Sequence, residues 1–383
     1  MANECAMTIS SNIVSAANNL GFKLYTPQQL DAQDSLDNFI RNFDNQPFIV
    51  VFPARERHTQ PQLFTTLLHG NETSGIEALR RLISNPPVPL YDTYILVASV
   101  KAAATEPLFF HRMLPGAADL NRCFTEKTLQ NIHQRVSQSK TIGKSQPILS
   151  LPDDYSEPQI LAYRIWRFIN ALNPRWLIDL HNTSGASPAF SVIRHVSDAH
   201  LLLCKQFSPY TVRSNINIGA LFELAFSFPC VTIECGGTGD ELAAQTAYTG
   251  IHRLMLATLP ELKEDSEPSI ILNDPIRLEI LPNKEVKLGY GPRKNPDFDI
   301  TLLADIDRFN FANWQAGKTL GWATPRGFSA LSAKDEQGQE RIHDLFQLQG
   351  EQLQCKTNLR LFMITNRVDI ALSDCLLYAV SLP

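Results

Sequence analysis

Five short runs of this chain are apolar along nearly their whole length, not at every second residue. They are "PFIVVFP" (Pro47–Pro53), "QLFTTLLHG" (Gln62–Gly70), "DTYILVASV" (Asp92–Val100), "RWLIDLHN" (Arg175–Asn182) and "CVTIECGG" (Cys230–Gly237). A strand with one wet face alternates apolar and polar residues, so continuous runs need cover on both faces. Helical patterns lie between them. After Ser156, read as an N-cap, apolar residues fall at Leu161, Ile165, Phe168, Ile169 and Leu172. Ala247, Ile251, Leu254, Met255 and Leu259 repeat that spacing, with Pro260 as the stop. Strands alternating with helices predict an α/β domain: a mixed, mostly parallel sheet with helices on both faces.

At 383 residues the chain is too long for one ordinary domain. Its character changes after about residue 262, where "KEDSEPS" (Lys263–Ser269) reads as a linker. Beyond it, "IRLEI", "EVKLG", "DFDITLLA", "LRLFMI" and "CLLYAVSL" are strand candidates with little helix between them. The expected organisation is an α/β domain over 1–262 and a small β-rich domain over 270–383.

Charge and cysteine usage narrow the function classes. A net charge of -5 gives no global attraction to nucleic acid or to an anionic membrane. No apolar stretch approaches the roughly 20 residues of a membrane span. The seven cysteines are scattered and form no CxxC, which fits reduced thiols. "MANECAMTISSNIVSAANNLGF" (Met1–Phe22) lacks the basic start and long apolar stretch of a signal peptide. The expectation is a soluble, cytoplasmic protein with no nucleic-acid or membrane partner; oligomeric state is left open, a homo-oligomer included.

Three of the apolar runs end in polar clusters: "HGNE" (His69–Glu72), "DLHN" (Asp179–Asn182) and "ECGG" (Glu234–Gly237). In a mostly parallel sheet, ligands gather outside the carboxyl ends of the strands. If these ends converge, two histidines and two glutamates meet at one edge. A catalytic zinc takes three protein ligands and leaves one position open. His69, Glu72 and His181 supply a His₂Glu set, and Glu234 is then free to act as general base. Asp179, two residues before His181, shares its face of the strand and can orient a ligand histidine. The plainer reading has weight: one HxxE arises easily by chance in a chain with nine histidines. "CGGTG" lacks the Walker lysine and reads as a tight turn. Joint occurrence at three strand ends favours the metal.

"HGNETSGIEAL", "DLNRCF" (Asp119–Phe124), "DLHNTSG" (Asp179–Gly185) and "TIECGG" (Thr232–Gly237) together resemble the succinylglutamate desuccinylase/aspartoacylase family, part of the zinc carboxypeptidase superfamily. The resemblance covers roughly residues 60 to 260, with a weaker likeness in "ITLLADIDRFNFANWQAGKTLGWA" (Ile300–Ala323). It implies one Zn²⁺ per chain on His69, Glu72 and His181, with Glu234 as the base. It further implies that Asn121 and Arg122 grip the substrate's carboxylate and that Arg112 faces the carbonyl under attack. Two features depart from the family. No arginine stands in "LAFSFPCVTIE" (Leu224–Glu234), where aspartoacylases hold a second carboxylate, and the tyrosine that their C-terminal part lends to the site is not placed in this sequence.

The function so implied is zinc-dependent hydrolysis of the amide of an N-acyl amino acid or similar small amide. The alternatives are a zinc carboxypeptidase acting on peptides, and a non-catalytic binder of metal or ligand.

Overall fold

Along Phe48–Phe52, Phe48, Val50 and Phe52 enter one apolar core while Ile49 and Val51 enter another. The strand alternates as any strand must, but both of its faces are covered, hence the unbroken apolar run. The computed structural model describes residues 9–56, 60–138, 154–264, 269–281 and 284–382. Residues 1–8 of the N-terminal stretch read for a signal peptide and residues 265–268 of the expected linker fall outside them.

Among the described residues the large sheet has nine strands: β1 (Lys23–Tyr25), β2 (Phe48–Phe52), β3 (Gln62–Thr66), β4 (Thr93–Val97), β5 (Trp176–Thr183), β6 (Phe190–Ile193), β7 (Tyr210–Arg213), β8 (Cys230–Gly237) and β9 (Ile270–Asn273). Their order is β1-β2-β4-β3-β5-β8-β6-β7-β9. The central four, β4, β3, β5 and β8, run parallel; β2 joins β4 and β6 joins β8 antiparallel. The expected mixed, mostly parallel sheet is what forms. The helices Ser74–Ser84 and Glu241–Leu256 bury their apolar stripes in one core, and Glu157–Leu172 does so in the other.

Helix boundaries follow local chemistry. Ser156 caps Glu157–Leu172, its N–H donating to Gln159 Oε1 at 2.9 Å. The later helix ends at Leu256, three residues before the Leu259 of the sequence pattern, because a separate short helix, Leu259–Glu264, carries Pro260 in its first turn.

Past the linker, Ile270–Asn273 pairs with β7 at the rim of the large sheet. The chain then builds two five-stranded sheets around a third core that includes Trp314, Leu320 and Phe346. Short helices punctuate this part, among them Val368–Ser373, whose end carries a residue into the site described next. No helix among the described residues is long and apolar enough to cross a membrane. The six described cysteines are all free and buried.

Candidate active site

The loop after β3 is held from three sides. Carbonyls of Thr66 and Leu67 accept from Ala98 N–H (3.1 Å) and Ser99 N–H (2.7 Å), and Gly70 N–H donates to the Arg112 carbonyl at 2.9 Å. Leu67 takes φ 57°, uncommon for a residue with a Cβ, which swings the chain off the strand. A Cβ on Gly70 would stand 2.7 Å from Ala103 N, and one on Gly75 would collide with the Thr66 side chain. The small residues of "HGNETSG" are therefore packing requirements, and they leave His69 and Glu72 facing the carboxyl ends of β5 and β8.

There the three strand ends converge. His69 Nδ1 lies 2.8 Å from Glu72 Oε1, and His181 Nδ1 lies 2.7 Å from Glu72 Oε2. One ligand-type atom from each of the three falls within 4.8 Å of the others, and all three residues are buried. The far nitrogens are held by carboxylates: His69 Nε2 by Asp119 Oδ1 and His181 Nε2 by Asp179 Oδ2, each at 2.8 Å. Asp179, wholly buried, also accepts from Thr65 Oγ at 2.6 Å. A histidine pinned through one nitrogen by a carboxylate presents the other in a fixed direction, the arrangement metal sites use. The donor set thus fits a divalent metal: two imidazoles and one carboxylate, converging and oriented from behind.

The electrostatics agree. Burial raises the Glu72 carboxyl, but His69 and His181 outweigh it and hold the group well below the usual carboxylate range. Burial lowers the His181 imidazole, yet Asp179 and Glu72 together raise its pKa well above 6.5. Without a metal, the cluster keeps a proton on His181; a dication takes that proton's place.

Glu234 pairs in register with His181 on one side and Phe190 on the other. Its Oε2 is buried and has no hydrogen-bond partner among the described residues. Burial, reinforced by Glu72 and opposed by His181, pushes its pKa from 4.5 to about 7.

Around this centre lies a cavity of about 980 Å3, counting its open mouth. His69, Glu72, His181, Glu234, Arg112, Asn121 and Arg122 all line it, while Asp179 stays behind His181. Arg112 Nε donates to Asp119 Oδ2 at 3.1 Å and its Nη1 lies 3.4 Å from Glu72 Oε1. Asn121 Oδ1 accepts from Leu221 N–H at 3.0 Å. Arg213 pairs with Asp274 and is not among the lining residues.

Three participants escaped the sequence reading. Asp119 lies inside the quoted "DLNRCF" and orients His69, a role its place beside Asn121 could have signalled. Tyr378, from the C-terminal part, lines the cavity. Asp374, at the end of the helix Val368–Ser373, reaches Arg122 Nη2 with both oxygens at 3.0 Å and Arg277 Nη2 at 2.7 Å. No local pattern marks Asp374, 252 residues from Arg122.

Fold and site together define an α/β protein with a buried His₂Glu cluster at the carboxyl edge of a mostly parallel sheet. By sequence, no family profile and no curated protein matches this chain. By structure, it is similar to a succinylglutamate desuccinylase from Vibrio parahaemolyticus, at TM-score 0.53 and 15% identity over 88% of this chain and 86% of that one. It is likewise similar to a succinylglutamate desuccinylase/aspartoacylase family protein from Shewanella amazonensis (TM-score 0.52, 12% identity, 87% and 93% covered). A third, of the same family from Shewanella frigidimarina, gives TM-score 0.51 at 12% identity over 87% and 92%. The resemblance carried by four motifs therefore extends to the fold of most of the chain.

Proposed function

We propose that this protein is a zinc-dependent amidohydrolase that removes the acyl group from an N-acyl amino acid or similar small amide. The observation that carries the reading is the buried Glu234 Oε2, without a partner among the described residues, beside an oriented His69–Glu72–His181 set. A zinc ion held by these three would lower the pKa of water and polarise the substrate carbonyl. Glu234 takes the proton of the attacking water and returns it to the departing nitrogen. Arg112 faces the oxygen on which negative charge develops. Asn121 and Arg122 hold a carboxylate of the substrate, Arg122 sharing its guanidinium with Asp374.

Small amides are favoured over extended peptides by the roof of the cavity. Phe362, Met363, Ile370, Asp374 and Tyr378 of the C-terminal part all line it. The test is hydrolysis of a matched panel: N-acyl amino acids, their C-terminal amides, and tetrapeptides. N-acyl amino acids should be the best substrates. A preference for tetrapeptides would give the site to a carboxypeptidase, and no hydrolysis by the zinc-loaded protein would leave it a binder.

Arg122→Lys refines the same panel. Guanidinium offers two parallel donors where an ammonium is a point charge, and charge-assisted pairs of this type are the strong ones. The variant should keep its metal yet lose roughly 10–100-fold in kcat/KM on free acids, with little change on the amides. Equal losses on acids and amides would show that Arg122 does not read the carboxylate.

A further inference from the structure

The cavity continues past Glu234, across β6 and β7, and there its chemistry changes. Thr232 of β8 stands opposite Val192 of β6, and Val192 shares a register pair with Val212 of β7. Both valines line the cavity floor. The adjoining wall is the loop before β8, which contributes Ile216, Ile218 and Phe222.

That wall is fastened to the turn that carries Asn121 and Arg122. Leu221 N–H donates to Asn121 Oδ1 at 3.0 Å, and Phe124 N–H donates to the Gly219 carbonyl at 2.9 Å. Gly219 itself packs so closely on the Arg122 backbone that a Cβ would stand 2.5 Å from the Arg122 carbonyl oxygen. The apolar wall is therefore neighbour to the carboxylate grip. Whichever half of the substrate carries the carboxylate also lays its side chain here.

The cations bear on what that side chain is. Among the described lining residues Arg112 and Arg122 are the only arginines or lysines, the two histidines being committed to the metal set. Arg112 already faces Asp119 and Glu72, and Arg122 faces Asp374. An acidic side chain in the apolar half would lose its hydration with no cation to replace it. An amide or hydroxyl side chain would find the hydroxyls of Thr232 and Ser214 within a lining that is otherwise mostly apolar. A large apolar one would exchange water for Val192, Val212, Ile218 and Phe222.

We infer that the departing amine is an amino acid with a large apolar side chain, of the leucine, isoleucine or phenylalanine class. This rests on the amidohydrolase reading for the bond that is cut, and on the cavity alone for which amino acid binds. Burial of one such side chain corresponds to roughly 10–100-fold in affinity.

Binding of the free amino acids to the zinc-loaded protein separates the two, because it needs no turnover. In an NMR titration, leucine and phenylalanine should bind about 10–100-fold more tightly than glycine and aspartate. The paired substitution Ile216→Ser and Ile218→Ser, in a loop where both residues are only part-buried, should shrink that ratio by about tenfold. Aspartate binding as well as leucine would overturn the inference, and so would an unchanged ratio in the double variant of a folded protein. A leucine preference without hydrolysis of any N-acyl-leucine in a panel of acyl groups would uphold the pocket and sink the amidohydrolase reading. Hydrolysis without any side-chain preference would do the reverse.

Discussion

Glu234→Gln should keep its zinc and lose on the order of 10²–10⁴ in turnover, the usual worth of a positioned general base. The amide is nearly isosteric with the carboxylate and cannot accept the water's proton. It should also fit, because Oε2 has no hydrogen bond to lose. The wild-type pH profile carries the same information. A base must be unprotonated to act, so activity falls as pH drops through its pKa. Burial pushes Glu234 to about 7 in the metal-free protein, and a neighbouring dication stabilises the carboxylate and draws that value back toward 4.5. The acid limb of kcat/KM should lie between those two values and vanish from the residual activity of the variant. Loss of zinc on substitution would make Glu234 a ligand; undiminished turnover would remove its role.

His181→Ala should empty the metal site. It removes one of three donors, and it strands two buried carboxylates: Asp179 loses its 2.8 Å contact and Glu72 its 2.7 Å contact. Breaking a buried ion pair by deleting one partner costs about 3–5 kcal/mol. The variant should therefore hold far less than one zinc per chain, lose amide hydrolysis and melt earlier than the wild type. His195→Ala, at an exposed histidine, should keep full zinc and serves as the comparison. Full occupancy in His181→Ala, measured by elemental analysis, would mean that the wrong ligands have been assigned.

Much of this was legible in the chain because the signals are local. The both-face burial of β2 is written in five consecutive residues, Phe48–Phe52, and Ser156 announces its helix one residue ahead. His69 with Glu72, Asp179 with His181, and Glu234 near the carboxyl end of its strand could be read for the same reason: each piece spans only a few positions. What could not be read is set by distance along the chain. Asp374 meets Arg122 only because the C-terminal sheets fold back over the cavity, and nothing in "LSDCLL" points there. Asp119 was visible in its motif, but its bond to His69 spans 50 residues. The apolar floor was half legible. An arginine missing from Leu224–Glu234 could be seen, whereas Val192 becomes a neighbour of Thr232, and Val212 of Val192, only through strand register.

The most direct test of the central claim is a zinc titration of chelator-stripped protein, following hydrolysis of N-acyl amino acids. The account predicts no hydrolysis in the stripped protein, a linear rise with added zinc, and a plateau at one equivalent per chain. Hydrolysis that survives complete removal of metal would contradict it, and so would one tightly bound zinc per chain with no amide in the panel cleaved.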